Sequence, residues 1–75
     1  MKTEKEVLKL IGEKLQKLRI KKGYKSYESF AIDNGLSRMQ YWRMEKGLAN
    51  ITLRSLLVIL KIHKVEVEDF FSKKL

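Results

Sequence analysis

The sequence predicts an all-α protein, a single compact domain of five short helices. Three observations carry that prediction. Apolar residues recur at three- and four-residue spacing almost from end to end, which is the period of one helix face. A Ser or Thr stands just before four of the apolar stretches, where a helix N-cap belongs. Proline is absent, and Gly23, Gly35 and Gly47 fall just beyond such stretches, where helices end.

Taken in order, Thr3 and Glu6 form a capping box that opens the first helix. Val7, Leu8, Ile11, Leu15 and Leu18 make its inward stripe, Lys9, Glu13, Lys14, Gln16 and Lys17 cover the other side, and Gly23 closes it. Ser26 caps a short second helix carrying Phe30 and Ala31, which stops at Asn34-Gly35. Ser37 and Gln40 read as a second capping box, opening a third helix that turns Tyr41 and Met44 inward and ends at Gly47. Thr52 caps a fourth helix with Leu53, Leu56, Leu57 and Leu60 inside, and a fifth segment around Val67, Phe70 and Phe71 closes the core. The run "KVEV" alternates as a strand does, but a lone four-residue strand would have no partner, so the reading stays at five helices.

Length and composition bound the function. Seventy-five residues make one domain, residues 1–75, at the low end of what folds unaided. With no Cys, neither a disulfide nor a thiolate metal site is available, which fits a reducing cytoplasm. The longest apolar run, residues 56–60, is far too short to span a bilayer, and the N-terminal stretch "MKTEKEVLKL" has no signal-peptide pattern, so no membrane association is expected. One His, no Cys, no Gly-rich phosphate loop and no carboxylate pair argue against an enzyme, a metal site or a cofactor. The net charge of +8, from seventeen Lys and Arg against nine Asp and Glu, favours an anionic partner. That surplus is concentrated in residues 1–25, with nine basic and three acidic side chains, whereas residues 26–50 balance at three each. Charge alone therefore does not point to the third helix.

The turn between the second and third helices does. Only "NGLS" joins them, so the chain must reverse sharply there. Gly35 can take the positive φ such a turn needs, Leu36 can plug the corner, and Ser37 satisfies free N–H groups at the next helix start. Ala31 stands where the two helices approach and a larger side chain would force them apart. A small residue, a Gly four positions on and an apolar residue six further make a helix-turn-helix pattern.

Around that pattern the resemblance widens. Through "IGEKLQKLRIKKG", "FAIDNGLSRMQYWRMEKG", "NITLRSLLVILKI" and "VEVEDFF", about residues 11–71, the chain resembles the phage Cro and repressor helix-turn-helix family of DNA-binding regulators, also called XRE-type. The resemblance implies a lambda-repressor-like five-helix domain that binds double-stranded DNA with the third helix, residues 37–46, in the major groove. It places the base-reading positions on Arg38, Met39 and Arg43. Arg suits the O6 and N7 acceptors of guanine, and Met39 would pack on a thymine methyl. It puts Ser26, Tyr27, Gln40, Lys46, Asn50 and Arg54 near phosphates, and pairs Arg19 with Glu45 as an internal ion pair pinning the third helix to the body. The family often has Gln where Tyr27 stands, and "GYKSY" is one residue longer than the commonest form.

Plainer readings stand beside these. Without the resemblance, Arg38 and Arg43 read as solvated charges, Met39 as an extension of the core, and Lys46 as a cation favoured at a helix C-terminus. Trp42 touches DNA, covers the end of the first helix, or joins an interface; the sequence does not rank these. His63 stands where the family commonly has an apolar core residue and reads as a partly buried His. The expected function is a non-enzymatic, sequence-specific transcriptional regulator, a repressor or an antitoxin-like autoregulator; the alternative is a protein-interaction module on the same fold, with an unidentified protein partner. A homodimer, at least on DNA, is expected through the fourth and fifth helices and the exposed parts of "VEVEDFFSKKL", near Val65, Val67 and Phe71.

Overall fold

The computed structural model describes residues 1–72. These form five helices in the order α1 (Glu4–Lys21), α2 (Tyr27–Asp33), α3 (Arg38–Glu45), α4 (Leu53–His63) and α5 (Val67–Phe70), and no strand is present among them. The Lys73, Lys74 and Leu75 portion of the C-terminal surface considered above lies outside the described residues.

Four helices begin on a hydroxyl that accepts from the backbone N–H three residues on. Thr3 accepts from Glu6, Ser26 from Ser29, Ser37 from Gln40 and Thr52 from Ser55, at 3.0–3.3 Å. At α1 the box is complete, since Glu6 Oε1 also accepts from the Thr3 N–H at 3.1 Å. These bonds hold the Glu6 carboxyl below its usual pKa. The second expected box forms only by half: among the described hydrogen bonds, Gln40 does not return one to Ser37. A neutral amide is a weaker acceptor than the Glu6 carboxylate, and Gln40 is exposed to water that competes for it.

Leu15, Leu18, Phe30, Ala31, Tyr41, Leu56, Ile59, Leu60 and Phe70 build the core, so every helix contributes to it. Phe30 is its hub. Tyr24, Tyr41 and His63 stand around it with ring centroids 5.0–5.3 Å away. Several residues expected inside lie at the surface instead: Val7, Leu53, Leu57 and Phe71 are all exposed. On the early turns of α1, Leu8 is half-buried whereas Val7 faces solvent. On α4 the apolar stripe is wider than the core beneath it.

"KVEV" turns a corner instead of extending a sheet. Lys64 closes α4 in the left-handed region, φ 58°, and the Val65 N–H reaches back to the Leu60 carbonyl. Glu66 is extended, and α5 starts at Val67. The far end of α5 is tied down by α1. Lys14 Nζ donates to the Phe70 carbonyl at 2.6 Å and the Ser72 carbonyl at 3.2 Å, while standing 5.5 Å from the centroid of the Phe70 ring. A cation there satisfies carbonyls that a helix end leaves without partners. No helix among the described residues is long and apolar enough to cross a membrane.

Candidate nucleic-acid interface

The α2–α3 corner is built by the residues between the helices. The Asn34 side chain donates to the Phe30 carbonyl at 2.8 Å, and the Leu36 N–H donates to the Ala31 carbonyl at 2.8 Å. Gly35 makes the turn at φ 68°, a conformation that costs an L side chain about 1–2 kcal/mol. No other group crowds it, so the demand for Gly is conformational alone. Leu36 packs against the core, and Ala31 is fully buried where α2 meets α3.

Two different devices hold α3 from behind. One is electrostatic. Arg19 Nε donates to Glu45 Oε2 at 2.7 Å, and its Nη2 donates to Oε1 at 3.2 Å, a two-pronged pair with both side chains buried. The remaining Arg19 nitrogen, Nη1, reaches the Tyr24 carbonyl at 2.9 Å, tying the α1–α2 link into the same knot. The hydrogen bond to Glu45 raises the Arg19 pKa further above its usual value. Tyr41 lies beside this pair, its hydroxyl buried without a partner in hydrogen-bonding geometry among the described residues; burial, then the Glu45 carboxylate, push its pKa up.

The other device is backbone contact. Gly12, in the middle of α1, touches the last turn of α3: a Cβ there would collide with the Glu45 carbonyl oxygen and come within 2.6 Å of that of Met44. Beyond α3, Gly47 lies against Lys9, and a Cβ on it would stand 2.9 Å from the Lys9 Cα. The sequence reading missed Gly12. A glycine inside a helix costs roughly 1 kcal/mol relative to Ala, and that cost was the available signal of a close approach.

So held, α3 turns Arg38, Met39, Gln40 and Arg43 to solvent. Met39 is 66% exposed and does not extend the core. Trp42 is half-buried on the same helix. The Arg43 guanidinium reaches past the C-terminal end of α3, where Nη2 donates to the Leu48 carbonyl at 3.3 Å, an exposed contact. Lys46 follows at the C-cap. Ser26 is half-buried as the α2 cap, and Tyr27 packs against the core as the first residue of α2. Of "GYKSY", residues 23–25 precede α2, Ser26 caps it and Tyr27 opens it. The Tyr24 hydroxyl donates to Asp33 at 2.9 Å, which raises its own pKa. Gln40 and Arg54, from α3 and α4, line a cavity of about 230 Å³ together with Ser37 and Ser55. Asn50 is exposed in the link between those helices.

A sharp two-helix corner with its second helix pinned from behind and polar in front defines a helix-turn-helix protein. Among solved structures, the restriction-modification controller protein C.AhdI from Aeromonas hydrophila is similar to this chain at 31% identity. The match covers 87% of this chain and 97% of that one, with a TM-score of 0.75. The chain belongs to that controller protein's family, helix-turn-helix proteins of the Cro/repressor-like class. No family model and no curated protein matches the sequence.

Proposed function

We propose that this chain is a cytoplasmic, non-enzymatic regulator of transcription that binds double-stranded DNA sequence-specifically as a two-fold homodimer. The observation that carries the reading is the front of α3, where Arg38, Met39, Gln40 and Arg43 are exposed on a helix immobilised from behind by a buried ion pair and close backbone contact. Positional rigidity of that kind suits a helix that must meet base edges in register. Arg38 and Arg43 read guanine and Met39 meets a thymine methyl. Ser26, Tyr27, Gln40, Lys46, Asn50 and Arg54 contact the backbone and set the register. For Arg43 this requires release of the Leu48 carbonyl, a small cost for an exposed hydrogen bond. Similarity to a restriction-modification controller supports the regulatory role.

The dimer rests on a second surface. Leu53, Leu57 and Val58 of α4 are 65%, 44% and 47% exposed, and Leu57 also borders the groove formed with Val65 and Val67. Joining two copies across α4 and α5 would set two α3 helices about 34 Å apart, one turn of duplex. Selection of bound sites from random duplex DNA tests the reading. The expected result is a consensus of inverted half-sites containing guanine, bound with an affinity that falls steeply with salt. Failure to enrich any sequence, with salt-insensitive binding to a protein partner instead, would replace it with the interaction-module reading.

A further inference from the structure

The single histidine of the chain is not used by the reading above, and its position is unusual. His63, the last residue of α4, lays its ring on that of Phe30 in α2, with centroids 5.1 Å apart and planes 2° from parallel. Its Nε2 is buried and has no hydrogen-bond partner among the described residues. Beside it is a cavity of about 240 Å³ lined by Leu18, Lys21, Lys22, His63 and Val65, without a carboxylate. From geometry alone, the neutral ring fits as an aromatic core residue. The imidazolium does not fit: it carries an N–H on both nitrogens, and the one at Nε2 would face no acceptor.

We propose that His63 is a proton-operated latch, neutral when α4 is docked on the helix-turn-helix pair and released from Phe30 when mild acid charges it. The surrounding charges act in the required direction. Lys21, the last residue of α1, and Lys22, its C-cap, line the cavity beside the ring. Across Phe30 stand Tyr24 and Tyr41, both neutral in this range, with pKa values raised above the usual 10. The acids beside those tyrosines are already engaged, Asp33 by the Tyr24 hydroxyl and Glu45 by Arg19. One influence opposes the latch: a helix C-terminus favours a cation. Burial first, and then the Lys22 charge, hold the His63 pKa below its ordinary value of 6.5.

The linkage follows from that sign. Below pH 6.5 the unfolded chain takes up a proton that the docked His63 resists, so stability is full above 6.5 and declines as pH falls, levelling off below the native pKa. Because no second His exists and every other titrating group is common to both proteins, the difference between the wild type and a His63 variant from pH 7.5 to 5.5 reports this residue. None of this depends on what α3 binds.

Two measurements on the whole chain decide it. The ring proton shifts of His63, followed by NMR against pH, should give a midpoint below 6.5 in the native protein; a midpoint at or above 6.5 overturns the proposal. The melting temperature of the wild type should fall relative to that of His63→Leu as pH falls from 7.5 to 5.5, because only the wild type carries the depressed imidazole. Parallel curves overturn it. If His63→Leu does not fold, His63→Phe keeps the aromatic stack without the proton and carries the same comparison.

Discussion

Helices α3 and α4 both present a face to solvent, and the two faces are opposite in chemistry and in support. The front of α3 is Arg38, Met39, Gln40 and Arg43, behind which stand a buried ion pair and the close approach of Gly12. The front of α4 is Leu53, Leu57 and Val58, behind which stand Leu56, Ile59 and Leu60 in ordinary aliphatic packing. A polar face that reads hydrogen-bonding groups works only if it is aimed to a fraction of an ångström, and directional contacts aim it. An apolar face works by the area it removes from water, which is non-directional and tolerates looser support.

The largest expected effect is behind α3. Glu45→Ala would strand the Arg19 guanidinium in a buried site with only the Tyr24 carbonyl for company. The loss of one partner of a buried pair typically costs ~3–5 kcal/mol, and denaturant unfolding should show it. A loss below about 1 kcal/mol would mean that polar support is not what holds α3. Gly12→Ala comes next. The added methyl meets backbone that cannot swing aside, so α1 and α3 must separate, at about 1–3 kcal/mol on the scale of overpacked cores. The same substitution at Gly35, which has open space, should cost only its positive φ.

On the front of α3 the contrast is between two cations. Arg43→Ala should weaken cognate DNA by about 1–3 kcal/mol and relax one guanine position. Lys46→Ala should weaken all sequences alike and lower the salt slope by about one unit. Titrations on cognate and scrambled duplexes separate the two; equal behaviour of both variants would remove Arg43 from the reading role. The smallest change in stability belongs to α4. Leu57→Asp alters an exposed side chain and should leave the unfolding free energy within roughly 0.5 kcal/mol, yet it should halve the protein bound per symmetric duplex, as measured by sedimentation. Full occupancy would show that this face is not the interface.

The same contrast explains what was legible in the sequence. The caps at Thr3, Ser26, Ser37 and Thr52 and the turn at Gly35 are satisfied within a few residues, so local spacing reveals them. The pairing of Arg19 with Glu45, 26 residues apart, came from family resemblance and not from spacing. Gly12 went unread because its reason lies on another helix. Leu53, Leu57 and Phe71 were placed inside because periodicity registers apolar character without saying whose core it joins. On α3 the exposed residues were identifiable by position, but the lie of the Arg43 guanidinium toward Leu48 depends on a loop conformation that no pattern encodes.

The tie from Lys14 to the carbonyls of Phe70 and Ser72 also bears on the order in which the molecule assembles. It joins residues 56 and 58 positions apart, whereas the helix-turn-helix closes over a few residues. Closing so long a loop carries an entropic penalty that is repaid only after the intervening helices have docked. The tie should therefore form after the rate-limiting step. Lys14→Met would then leave the folding limb of a chevron nearly unchanged and act on the unfolding limb: a loss of ~1 kcal/mol in hydrogen bonding would make unfolding about fivefold faster. α5 would be the last element to arrive and the first to leave, held on the body by the buried Phe70 ring and by one lysine.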